Sequence, residues 1–206
     1  RGSGSAARKA LYLRDGRRSK GNTAMTRIPT QSRDDMGADQ QAIHDRIVGD
    51  GGRVGFGPAI GYAYSAGVWD VHNRSSAHLL DCSLTAVQVR IVSLMTVRHW
   101  NAPYPWSAQA KTALKAGVDA AVVEAINAGE QPVFDDDADA AVHAAARELL
   151  ASGTLSDDGF KAAEDALGYQ RVVEIVGAVG HFCTTAMMAN VVGVTPAADA
   201  PSHLKT

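Results

Sequence analysis

Apolar positions recur at helical spacing along most of the chain, and its longest apolar runs exceed ordinary strand length. Within 39–48, Ala42, Ile43 and Ile47 share one face, which predicts a short amphipathic helix that Gly49-Asp50-Gly51-Gly52 ends. Pro58 suits the first turn of a following helix, and Ser65 suits the cap of another over 67–80. Residues 85–100 hold Val87, Val89, Ile91, Val92, Leu94, Met95 and Val97. Their β-branched content fits a strand, but a run of about 16 residues argues for a helix buried on most faces.

Asn101 to Pro105 interrupts that run, and a helix over 106–116 is expected to stop at Gly117. Asp119 caps a helix over 120–127, Asp135-Asp136-Asp137 precede one over 138–151, and Ser156 begins the next. Residues 169–192 are apolar nearly all round and long enough to span a membrane. Glu174 and His181 interrupt them and no basic flank sets an orientation, so they read as the central or interface helix of an oligomer. The expectation is an all-α protein of seven to nine helices.

Composition changes this picture little. The 206 residues are 46% hydrophobic, 20% charged and only 6% aromatic, which favours a helical globular domain. Charge is uneven: residues 1–24 carry seven Lys or Arg against the lone acid Asp15, and the rest is acidic, with no basic surface for nucleic acid. Residues 1–24, with Gly2-Ser3-Gly4-Ser5, read as an expression leader or disordered extension, and 25–206 as one helical domain. The rival reading of the leader is a basic arm for an acidic partner. Cys82 and Cys183 stand far apart without a CxxC, as buried thiols do; with no signal-like segment, a cytoplasmic location is expected.

Residues 84–126 and their flanks carry a resemblance. Leu84 to Trp100, Asn101-Ala102-Pro103-Tyr104-Pro105-Trp106-Ser107-Ala108-Gln109 and Ala113-Leu114-Lys115-Ala116-Gly117-Val118 fall in order. So do Val172 to Val176, Val179-Gly180-His181-Phe182 and Asn190, with Gly52-Arg53-Val54-Gly55 and Gly57-Pro58 upstream. Over about 26–196 the chain resembles the carboxymuconolactone decarboxylase family. That resemblance implies an alkylhydroperoxidase-D-like (AhpD-like) helical fold, homotrimeric or homohexameric assembly, and a metal-free lyase of aromatic catabolism or a CxxC thiol peroxidase. It also implies that the family's helix glutamate falls at Arg90, its motif glutamate at Pro105 and its motif histidine at Gln109. The peroxidase cysteines fall at Ala102 and Pro105.

A lyase for a small carboxylated lactone needs a carboxylate clamp, stabilisation of enolate charge and a proton donor. Arg90, Trp106 and His72 are the substrate-binding candidates; Tyr104, Gln109, His99 and His181 are the catalytic ones. Each has a structural alternative as an ion-paired, capping or core residue. His72 and His78 are six apart and His99 and His181 distant, so no metal site is expected, and no cofactor. Gly51 to Gly57 lacks a preceding strand and a P-loop lysine. The expected partners are a small carboxylate or lactone and copies of the chain itself, with neither nucleic acid nor membrane. The alternatives are a non-catalytic ligand-binding or assembly subunit and, last, a thiol peroxidase.

Overall fold

The computed structural model describes residues 26–205, so the leader read over 1–24 lies outside the described residues. Within them lie one 3-10 turn, Arg33–Asp35, and eight α-helices. These are α1 (Ala38–Gly49), α2 (Ala59–Tyr62), α3 (Ala66–Leu79), α4 (Ala86–His99), α5 (Pro103–Ala116), α6 (Ala120–Ala128), α7 (Asp137–Ser152) and α8 (Asp157–Val192). No strand is present among them.

α4 is the axis of the fold. Every residue from Gln88 to Val97 is buried, and α5, α6, α7 and α8 pack around it. Each fully buried Val, Ile or Leu there contributes about 1.5–3 kcal/mol of transfer free energy, so the β-branched run serves a core helix rather than a strand. Thr85 caps it: its hydroxyl accepts from the Gln88 backbone N–H at 3.1 Å, while the Gln88 side chain accepts from the Thr85 N–H at 3.0 Å. Asp119, Asp136 and Ser156 cap α6, α7 and α8 through side-chain oxygens. Ser65 stands at the N-cap of α3 but makes no capping hydrogen bond with its side chain.

Two boundaries differ from the expectation. α5 starts at Pro103, three residues early, because the missing N–H of Pro103 and Pro105 falls in a first turn that has no intrahelical partner for it. The helix expected over 169–192 is the second part of α8, which continues from Asp157 through a break at Gly168 (φ 75°, ψ 161°). That conformation is essentially restricted to glycine.

α8 is long and apolar enough to cross a membrane by length and composition, and only it among the described helices is. Val172, Ile175, Ala178, Phe182, Ala186, Ala189 and Val192 are buried on its inner side. Its outer side leaves Tyr169, Val173, Val176, Met187 and Val191 exposed. A smaller core of Met36, Ile47, Tyr62, Ala63 and Trp69, with Met188 against it, joins the N-terminal helices to α8.

Candidate functional site

α3 and α8 lie side by side and leave an open cleft of about 630 Å³ between them. His72 and Ser75, one turn apart on α3, line it opposite His181 and Thr184 of α8. The imidazoles of His72 and His181 stack at 4.3 Å with 12° between their planes, and Tyr62 stacks on the far side of His72 at 4.1 Å. His181 Nδ1 pairs with Ser75 Oγ at 3.1 Å. Three rings from α2, α3 and α8 thus form a column with one edge on the cleft.

Burial holds both imidazoles neutral at pH 7. It pushes His72 down to about 4. His181 falls to about 3, through burial first and then the nearby charge of His72 and Arg90. The Tyr62 hydroxyl is pushed up to about 12 by burial; it faces Thr185 without a well-formed hydrogen bond. Thr185 donates instead to the His181 carbonyl at 3.0 Å.

Arg90 stands behind His181. Its side chain is 8% exposed, and its Nη1 donates to Gln109 Oε1 at 2.7 Å. Burial lowers the guanidinium to about 10, which leaves it charged at neutral pH. α4 and α5 are consecutive and packed together, which brings these two candidates into contact. The pair joins the column as a fixed positive charge next to a neutral imidazole.

The other candidates lie elsewhere. Trp106 is fully buried in the main core, its Nε1 donating to Ser202 Oγ at 3.0 Å. The expected ligand-contacting indole is therefore a core residue that anchors the C-terminal tail, helped by Ser107 Oγ donating to the Ser202 carbonyl at 2.7 Å. Tyr104 is covered by the loop before α2. A Cβ on Gly57 (φ +59°) would meet the tyrosine ring at 2.7 Å, so only glycine lets that loop close over it. Burial raises the Tyr104 phenol, with Arg53 opposing. His99 is at the other end of α4, nine residues and about 13.5 Å of helix rise from Arg90, stacked edge-on against Trp100. It lines a different cleft.

Neither cysteine forms a disulfide among the described residues. Cys82 sits before α4, and Cys183 accepts from Trp100 Nε1 at 3.1 Å just past the end of α4. A helix of 14 residues, about 21 Å, lies between them. Among the described residues, no three His, Cys, Asp or Glu side chains gather as metal ligands would.

Sequence reasoning missed Ser75, Tyr62 and the threonines of α8. The spacing of His72 and Ser75, with Gly180-His181 and Thr184 in register on another helix, was the only available signal. It acquires meaning only once α3 and α8 are paired.

No family model matches the chain, and no curated protein matches it. A solved structure does: the alkylhydroperoxidase AhpD core from Ralstonia eutropha JMP134, described as an uncharacterized peroxidase-related protein. It is 16% identical, with a TM-score of 0.67, over 86% of this chain and 95% of that one. At that identity the likeness concerns architecture. The chain has the AhpD-like all-helical fold.

Proposed function

We propose that this protein is a carboxymuconolactone-decarboxylase-like enzyme that works without a cofactor on a small carboxylated lactone or similar acid, in the cleft between α3 and α8. The observation that carries this reading is the stacked pair of neutral imidazoles opening on the cleft with the Arg90 guanidinium buried behind it. The positive field of Arg90 attracts an anion and favours an enolate over its neutral precursor. An imidazole of pKa near 3 is on its own a poor base. A bound carboxylate opposes the charge of Arg90, raises His181 towards neutrality and makes it a proton donor and acceptor of useful strength. In a decarboxylation the bond to the departing carboxylate breaks, its electron pair enters the conjugated lactone as an enolate, and His181 delivers a proton to carbon. His72 and Ser75 hold the ring of His181 in place.

The exposed side of α8 supports self-association as part of this reading. Tyr169, Val173, Val176, Gly180, Thr184, Met187 and Val191 recur at spacings of three and four, a seam suited to a second helix. Val71 of α3 continues it, 62% exposed at the mouth of the cleft. A second copy of the chain covering this face would close the cleft to water.

The test is turnover of 4-carboxymuconolactone and related acids by the purified protein. Turnover is expected, with His181→Gln losing about 100-fold or more and Arg90→Gln raising KM. No turnover together with saturable binding at His72 and His181 would favour a second reading, a ligand-binding relative. That reading is supported by Pro105 and Gln109, neither of which carries a proton. Peroxidase chemistry, suggested by the words describing the Ralstonia eutropha structure, needs two thiols that meet. Cys82 and Cys183 do not meet within one chain.

A further inference from the structure

A second cleft, of about 490 Å³, lies at the opposite end of α4. Its polar lining is mostly basic: Arg98 and His99 from the end of α4, with His143 and Arg147 one turn apart on α7, beside Glu130 and Gln131. Each guanidinium is held by neutral oxygens. Arg98 Nε donates to the Asn127 carbonyl at 2.9 Å and its Nη1 to Asn101 Oδ1 at 3.0 Å; Arg147 Nη1 donates to Gln131 Oε1 at 2.7 Å. Among the described residues neither is within salt-bridge distance of a carboxylate, in contrast to Arg33, Arg46 and Arg74.

Two acids are near. Glu130 lines the rim and is exposed, and Glu148 is close to Arg147 but accepts the Ser156 backbone N–H at 2.7 Å. His143 is 4% exposed yet lines the cleft, so a buried imidazole stands at its floor beside Arg147. Met95, Ile126 and Leu150 supply apolar walls. Two hydrogen-bonded guanidiniums thus line the cleft together with two imidazoles and apolar walls. The arrangement suits a carboxylate attached to a hydrocarbon body, and the volume lies in the range of small-molecule sites.

We infer that this cleft between α4, α6 and α7 is a second binding site, for an organic carboxylate with an apolar body. The carboxylate meets Arg147 and Arg98, and the hydrocarbon lies against Met95, Ile126 and Leu150. The site uses none of the groups of the α3–α8 cleft and does not depend on what that cleft does.

Benzoate is the probe and benzyl alcohol its uncharged counterpart. The readout is the imidazole NMR signals of the histidine-labelled full chain. Benzoate is expected to shift His99 and His143 saturably, with affinity of roughly millimolar order. Arg147→Gln weakens this about tenfold, a site that is exposed and tolerant of substitution. Arg147→Lys weakens it less, and benzyl alcohol gives no saturable shift. His72→Gln leaves the His99 and His143 shifts unchanged. Absence of a shift at His99 and His143, equal binding of the alcohol, or equal binding in Arg147→Gln would each overturn the proposal. Benzoate shifts confined to His72 and His181 would overturn it as well, while supporting the other cleft.

Discussion

The segment Tyr104 to Gln109 and the cleft between α3 and α8 divide the molecule's two kinds of information. The first is a contiguous motif, and most of it is occupied with structure. Trp106 and Ser107 tie down the C-terminal tail, Tyr104 fills the space beneath Gly57, and Pro105 sits in the first turn of α5. Gln109 alone reaches the candidate site, through Arg90. The cleft has no contiguous motif. Ser75 and His181, which pair across it, are 106 positions apart. A motif's frame can thus outlast its chemistry, because core packing and chemistry impose separate demands on neighbouring side chains.

This contrast yields predictions that differ in size. Trp106→Ala removes a fully buried indole and the anchor of the tail, so it should cost about 3–5 kcal/mol in urea unfolding. A cost below about 1 kcal/mol would mean that the segment is not core.

Acid should act on the other region. In the unfolded chain a histidine takes up its proton near pH 6.5, whereas folded His72 does so near 4 and His181 near 3. The unfolded state therefore binds more protons through this window, and stability falls as pH drops from about 6.5 towards 3. The loss should amount to a few kcal/mol between pH 7 and 4. His72→Phe, which keeps a flat ring against Tyr62, should reduce that slope. An unchanged slope would place the acid sensitivity elsewhere.

Gln109→Leu removes one acceptor from a buried guanidinium and should cost about 1–3 kcal/mol, measured by denaturant midpoint. Gln109→Glu supplies a charged acceptor and should keep most of the stability. At the same time it cancels the positive field behind His181, so turnover should fall while the fold persists. Tyr104→Phe is the smallest change and should alter turnover by less than about twofold, since the phenol faces the Gly57 loop. A large loss there would return catalysis to the motif.

Much of the fold was legible along the chain. The cap at Asp119, the helix start at Ser156 and the stop at Gly117 mark real helix ends. They are local hydrogen-bonding and backbone preferences, which need no tertiary context. The start of α5 and the continuity of α8 through Gly168 were not legible. The first depends on which proline lies in the first turn, and the second on two helical segments packing as one.

The candidate site was legible in part. Arg90, Gln109, His72 and His181 are brought together, because two packed helix pairs, α4 with α5 and α3 with α8, meet at the column. His99 is not, because the helix that carries Arg90 carries it to the opposite end of the core. Ser75 and Tyr62 went unmarked because hydroxyls and rings of this kind are common, and only the pairing of α2, α3 and α8 gives them a role.

The most direct test of the account is an imidazole NMR titration of the full chain with 4-carboxymuconolactone at pH 7. The account predicts that the His72 and His181 signals shift together, that His181 moves towards the protonated position, and that exposed His78 and His203 stay still. Saturable binding that leaves His72 and His181 unmoved would contradict it.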